Sequence, residues 1–212
     1  VWNDLTIRAR GLYINIPKQK VVARAYDKFF RVNERPETKM DILQYKLQFP
    51  ATAYVKENGF LGLVSYNEET DDLFITTKSS PDGDYAMWFK NLLGAKLSRD
   101  QLKHMKELAQ ELDSTFVFEC VDMVHDPHVI EYPESELFLL DIVKNDMKFQ
   151  KQPYEQIVQY AAEIGLTPKE KAFVIETWQD FFDWFYKVMD EDYLYNGRHI
   201  EGFVVEDAAG YM

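Results

Sequence analysis

The chain has 212 residues, of which 46% are apolar, 28% charged and 15% aromatic, and it carries a net charge of −12. This is the balance of a globular chain with one sizeable core, or a core with a helical appendage, and the acidity argues against a general nucleic-acid coat, which needs a basic footprint. No apolar run approaches the roughly 18 residues of a membrane span and no signal peptide is evident, so no membrane partner is expected; the single cysteine favours a reducing, cytoplasmic compartment.

Residues 6–16 and 21–26 are rich in β-branched and aromatic side chains and are predicted as strands, with Pro17-Lys-Gln-Lys20 as the turn between them. Arg8, Arg10, Lys18, Lys20, Arg24, Lys28 and Arg31 cluster here, while much of the acidity lies between Asp180 and Glu206, which is compatible with one local basic face. Ala53-Tyr-Val-Lys56-Glu-Asn-Gly59-Phe-Leu-Gly-Leu-Val-Ser65 reads as a hairpin around a polar turn. Residues 73–78 form the next predicted strand, closed by Ser-Ser-Pro-Asp-Gly83. Ser98 and Gln101 have capping-box spacing and open a helix whose apolar stripe is Leu102, Met105, Leu108 and Leu112.

Strands are predicted again over 115–121, 129–132 and 137–143. A helical insertion within 150–195 follows: one helix ends at Gly165, and a second starts at Thr167-Pro-Lys-Glu170, which combines an N-cap, a proline at the first helical position and an acid two residues later. A strand over 200–206 closes the chain. The order gives an α+β fold, an antiparallel β-sheet core with a helical insertion before the last strand. The chain opens on Val1 and stops just after a strand, so further residues are expected at both ends.

Lys56 is the residue on which chemistry would turn. An amine half-desolvated at a strand end, near other cations, sheds its proton more readily and becomes a nucleophile. The bland reading of a lone Lys-x-x-Gly is a solvated lysine, and other features weigh against it. Arg10 and Lys28 place cations beside large apolar residues, as in a phosphate site, although a snorkelling stem would look the same. Strict alternation in Phe116-Val-Phe-Glu119-Cys-Val121 would bury Glu119, which then needs a ribose hydroxyl, a cation or backbone amides; the alternative is a structural salt bridge. Glu201, next to Gly202, can approach a metal–phosphate cluster closely, or be a plain strand-end acid. His125-Asp-Pro-His128 is turn chemistry without a third nitrogen or sulfur ligand at suitable spacing, so no zinc site is expected there. The aromatic run Trp178–Tyr186 is read as a helix packed on two sides, with base stacking secondary, and Cys120 as core.

Taken together, Arg10-Gly-Leu, Asp27-Lys-Phe-Phe30, Lys56-Glu-Asn-Gly59, Phe74-Ile-Thr-Thr-Lys-Ser79, Phe118-Glu119, Leu137-Phe-Leu-Leu-Asp141 and Glu201-Gly-Phe-Val resemble, in order and spacing, the motifs of the RNA ligase family that includes the phage end-joining ligase and the fungal and plant tRNA ligases. The resemblance runs from Arg10 to Met212 and implies an adenylyltransferase domain of the covalent nucleotidyltransferase superfamily. It implies ATP and Mg²⁺ (or Mn²⁺) as cofactors and RNA with 5′-phosphate and 3′-hydroxyl ends as partner, with the chain a monomer. Lys56 becomes the AMP-accepting nucleophile, and Glu201 a catalytic and metal-holding acid. Arg10, Lys28, Val55, Gly59, Lys78, Glu119 and Phe138 become nucleotide-binding positions: Arg10 and Lys28 for the leaving phosphates, the backbone near Val55 for the adenine edge, Glu119 for the ribose and Phe138 for stacking. Asn58 stands where many superfamily members carry Asp, and the family's later Lys-x-Lys strand would begin where this chain stops. Two other readings stand beside this one: a non-catalytic nucleotide- or RNA-binding module of the same fold, and a DNA ligase or capping-type enzyme.

Overall fold

The computed structural model describes residues 2–212. In chain order the elements are β1 (Tyr13–Asn15), β2 (Lys20–Ala23), α1 (Met40–Lys46), β3 (Ala51–Lys56), β4 (Phe60–Asn67), β5 (Asp72–Thr77), α2 (Asp84–Lys96), α3 (Arg99–Leu112), β6 (Ser114–Val121), β7 (Glu136–Lys144), α4 (Tyr154–Ile164), β8 (Thr167–Pro168), β9 (Lys171–Ile175), α5 (Trp178–Asp190), β10 (Leu194–Tyr195), β11 (Arg198–His199) and β12 (Gly202–Glu206). The α+β class built on antiparallel sheet is as predicted. The chain forms two compact units, one made of the stretch up to Lys28 with Gly59–Pro168, the other of Phe29–Asn58 with Lys169–Met212.

The first unit is organised on a five-stranded sheet in the order β5-β4-β6-β7-β8, antiparallel except for the β7–β8 pair. All eight residues of β6 are buried, because its alternating side chains serve both faces. Phe116, Phe118 and Cys120 point into a core with Phe89 and Leu93 of α2, Met105 of α3 and Ile157 of α4. Each such aromatic contributes about 1.5–3 kcal/mol by leaving water. The Ser98 capping box forms reciprocally: Gln101 N–H donates to Ser98 Oγ at 3.2 Å and Ser98 N–H donates to Gln101 Oε1 at 2.8 Å. Gly165 ends α4 in the left-handed region at φ +86°, as its position predicted. The β1–β2 hairpin is tied to β4 by Ser65, whose hydroxyl donates to the Val22 carbonyl at 2.6 Å.

The second unit is a three-stranded antiparallel sheet, β12-β3-β9, with Ala53, Ile175 and Phe181 at its core and Leu47, Trp184, Phe203 and Val205 packed around them. Thr177 caps α5 by accepting the Asp180 N–H at 3.2 Å. Within α5, Phe181 is buried while Phe182 and Tyr186 are exposed, so the helix is not packed on two sides as its aromatic run suggests.

Several local expectations are corrected. β3 and β4 do not form a hairpin: β3 pairs with β12 and β9, β4 with β5 and β6, and the Glu57–Asn58 link carries the chain from one sheet to the other. Alternating apolar residues on either side of a turn fix faces, not partners. The helix predicted from Thr167 is instead β8 and β9, with the second helix starting at Trp178, so the 150–195 segment is not wholly helical. Sheet partners override the cap-like pattern: Thr167 and Pro168 pair with β7, and Ala172-Phe-Val-Ile175 suits a strand beside β3. Residues 129–132 form no strand, and the predicted 6–16 strand shrinks to β1 because Gly11 turns at φ +66°. Helix α2 was not anticipated; its apolar residues lie around most of its circumference, which blunts the helical period. None of the helices is long and apolar enough to cross a membrane, among the described residues.

Candidate functional site

The proposed site residues fall into two groups, each ordered within its own unit. In the second unit, β3 ends at Lys56, and Gly202 of β12 is its register partner. This pairing brings Glu201 beside the lysine, and Lys56 Nζ donates to Glu201 Oε2 at 2.5 Å. Their side chains are 39% and 30% exposed, so the pair lies at a rim rather than in a sealed core. Next to it, Glu57 is only 3% exposed, and its Oε1 lies 3.4 Å from Arg198 Nη2. Arg198 also lies 3.8 Å from Glu170, which accepts the Tyr195 hydroxyl at 3.0 Å. The sequence reading passed over Glu57 and Arg198; the available signal was the mirrored charge order, Lys-Glu at 56–57 against Arg-x-x-Glu at 198–201.

Val55 was expected to offer backbone to the adenine edge. Its N–H donates to the Glu170 carbonyl at 2.9 Å, which ties this stretch of β3 to the entry of β9. A bulge in the β3–β9 pairing after Ala53 brings Glu170, rather than a strand-register residue, opposite this amide.

In the first unit, Glu119 is 8% exposed and accepts the Gly59 N–H at 3.0 Å. The buried carboxylate thus has an amide donor, one of the partners expected for it. Gly59 has a separate requirement. A Cβ there would lie 2.1 Å from the Cys120 carbonyl oxygen, so only glycine lets this segment lie against β6. Leu61, Glu119 and Phe138 are directly opposite one another across β4, β6 and β7, placing half-buried Phe138 on the face that carries Glu119.

Arg10 and Lys78 belong to the same neighbourhood. The Lys78 Cα is 3.4 Å from where a Gly11 side chain would begin. Burial holds the Arg10 guanidinium below its usual range, partly offset by the charge of Glu119. Burial first, and then the Arg10 charge, also lower the Lys78 ammonium, again against Glu119. Half-buried Arg10 and exposed Lys78 thus feel one another and the buried Glu119 carboxylate, two positive charges against one negative, which is the charge balance an anion site needs. Lys28 is half-buried on a neighbouring segment, its N–H donating to the Ile7 carbonyl at 2.8 Å.

Three of the other early cations, Lys18, Lys20 and Arg24, are engaged locally. Lys18 pairs with Glu68 at 2.9 Å and Lys20 with Asp113 at 3.8 Å. Arg24, 1% exposed, donates to the Asp146 and Met147 carbonyls and pairs with Asp27 at 2.6 Å. His125 and His128 bond to Asp122 and Asp126 at 2.8 and 3.0 Å, and among the described residues no group of three or more His, Cys, Asp or Glu could hold a metal. Cys120 is buried and burial raises its thiol far above the usual range, as suits a core position.

A family model described as RNA ligase matches residues 8–212. The chain is 30% identical over 229 residues to a tRNA ligase of Candida albicans and 28% identical over 227 to tRNA ligase 1 of Schizosaccharomyces pombe, in each case across 95% of this chain and 27% of the relative. It therefore spans about a quarter of the length of these curated relatives. Among solved structures, an archaeal ATP-dependent RNA ligase (form 1) superposes with a TM-score of 0.65 at 14% identity, covering 95% of this chain and 50% of that one. The Naegleria gruberi RNA ligase D172A mutant gives 0.57 at 12% identity, covering 82% and 52%. At these identities the structural matches speak for the fold alone, whereas the family model covers nearly the whole chain: the chain belongs to the RNA ligase family.

Proposed function

We propose that this chain is the adenylyltransferase core of an ATP-dependent RNA ligase and that Lys56 is its nucleophile. Lys56 Nζ attacks the α-phosphorus of ATP, forming an N–P bond while the P–O bond to pyrophosphate breaks. The amine's surplus proton is released to solvent as its 2.5 Å contact with Glu201 Oε2 opens, which leaves Glu201 ionised. Arg10, Lys78 and Lys28 hold the phosphates, Glu119 the ribose, and Phe138 is the stacking position. The adenylyl group then passes to an RNA 5′-phosphate, and a 3′-hydroxyl displaces AMP to seal the strand. The names of the fungal relatives make a tRNA the favoured RNA.

A divalent ion fits the site only with help from the substrate. Glu201 is a lone carboxylate, and no protein cluster around it would complete a metal's shell among the described residues. Glu201 would therefore hold Mg²⁺ or Mn²⁺ together with the nucleotide's own phosphate oxygens, supplying neutralisation of phosphate charge.

The observation that carries the reading is the Lys56–Glu201 contact at paired strand ends within a chain of this family. The test uses the full-length protein with α-labelled ATP and a divalent metal. Label should remain on the protein after denaturation and be absent from Lys56→Ala. Label that persists in Lys56→Ala overturns the assignment, and ATP binding without any label transfer favours a non-catalytic module.

A further inference from the structure

We propose that Arg198 is a positioning residue for Lys56, acting through the buried carboxylate of Glu57. The inference rests on Lys56 being the nucleophile. Consecutive residues of the β3 end meet opposite charges on the 198–201 segment: Lys56 contacts Glu201 at 2.5 Å and Glu57 contacts Arg198 at 3.4 Å. The two pairs differ in environment. Lys56 and Glu201 are both half-exposed, so either can turn toward a bound nucleotide. The Glu57 side chain is 2% exposed while that of Arg198 is 42% exposed, so the first has little freedom and the second reaches in to meet it.

Arg198 also ties this corner to the entry of β9. Its guanidinium lies 3.8 Å from Glu170, the residue whose carbonyl accepts the Val55 N–H at 2.9 Å and whose carboxylate accepts the Tyr195 hydroxyl at 3.0 Å. One guanidinium thus joins the β10–β11 hairpin, the residue following the nucleophile, and the strand flanking it. During reaction the Lys56–Glu201 contact must open, because the amine attacks phosphorus and Glu201 turns to the phosphates. The Glu57–Arg198 pair involves neither reacting group and persists through the step. It keeps the strand end, and with it the amine's line of attack, in place; attack geometry displaced by about 1 Å costs on the order of 100-fold in rate.

The experiment measures single-turnover labelling by α-labelled ATP and a divalent metal in the full-length protein, over a range of ATP concentrations. Arg198→Ala should lower the rate at saturating ATP by about 10- to 100-fold while the half-saturating ATP concentration changes less than about threefold. Arg198→Lys should recover most of the rate, and Glu57→Gln, which keeps the shape of the buried group, should repeat the loss. The double variant Arg198→Ala/Glu57→Gln should be no slower than the slower single variant, since the two residues act as one unit. A wild-type rate in Arg198→Ala, a loss confined to the half-saturating concentration, or multiplied losses in the double variant overturns the inference and leaves Lys56 as nucleophile. If Arg198→Ala does not fold, the Arg198→Lys and Glu57→Gln rates decide in the same sense. Absence of label in the wild-type protein overturns the lysyl–AMP reading, and this inference with it.

Discussion

Replacing Gly59 by alanine tests whether this glycine is a structural requirement of the first unit, apart from any contact with a substrate. The added Cβ would lie 2.1 Å from the Cys120 carbonyl oxygen, 2.7 Å from its carbon and 3.1 Å from the Val121 nitrogen, all backbone atoms of a fully buried strand. An ordinary C···O contact is roughly 3.3 Å, so the two segments must separate by about 1 Å. Overpacking of this kind costs about 1–3 kcal/mol. The same movement draws the Gly59 N–H away from Glu119 Oε1, now at 3.0 Å, and weakening a hydrogen bond to a buried carboxylate costs about 1.5–3 kcal/mol more. Near 200 residues each kcal/mol lowers Tm by roughly 2–4 °C, so Gly59→Ala should melt on the order of 10 °C below wild type. The control is Gly94→Ala in the exposed interior of α2, where nothing lies within 4 Å of the added atom. That substitution should raise stability by about 0.5–1 kcal/mol through helix propensity. Thermal melts followed by circular dichroism give both numbers. A Gly59→Ala protein melting within about 2 °C of wild type refutes the close approach to β6.

Lys151→Met should lose about 3–5 kcal/mol in a urea melt, because it removes the cation 3.1 Å from Asp141, a fully buried carboxylate that also accepts the Tyr26 hydroxyl. Arg24→Ala should open the 145–149 loop, seen as faster amide exchange there, since the guanidinium donates to the Asp146 and Met147 carbonyls at 2.8 and 3.1 Å. Lys78→Met should melt no lower than wild type at pH 7 and should blunt the rise in Tm that pyrophosphate gives. Burial lowers the Lys78 ammonium, so wild type carries a cost for the charged form at neutral pH. That cost is relieved as pH rises through the lowered value toward the ordinary lysine range, and the gap between the two proteins should close over that alkaline window.

How far the sequence was legible depended on whether the signal was local. Ser98 and Gln101 carry their whole cap within four residues, and the helix they open starts where expected. Phe116–Val121 announces its two faces by alternation, and both are buried, Glu119 included. The Lys56–Glu201 contact, by contrast, depends on β12 pairing with β3 across about 145 residues, which no local pattern encodes; the motif order singled out both residues but not their pairing. Where two local signals competed, tertiary pairing decided. Thr167-Pro-Lys-Glu170 has the letters of a helix start, yet its neighbours had sheet edges to complete, and the cap pattern lost. The Lys56–Gly59 turn failed in the same way, since a turn's residues do not say whether the strands on either side will find each other.

The early cations show why charge counts along a chain mislead about ligands. Lys18, Lys20 and Arg24 were grouped with Arg10 by sequence alone, but each has its own acid or carbonyl partner, so its charge is already offset and its removal should weaken the fold or do nothing. Arg10 and Lys78 form no salt bridge among the described residues; Arg10 is half-buried, and the ammonium of the more exposed Lys78 is lowered by what burial it has and by the Arg10 charge, with Glu119 opposing both shifts. A cation kept in that condition raises the free energy of the empty site. An anion that enters recovers the solvation lost to burial, so part of the cost borne by the fold returns as affinity. The distinction between an offset cation and an exposed-to-ligand cation is therefore physical and not positional. It separates Lys78, far along the chain, from Lys20, which lies ten residues from Arg10, and it is why Arg10 and Lys78, rather than Lys18 or Lys20, are the cations proposed for the phosphates.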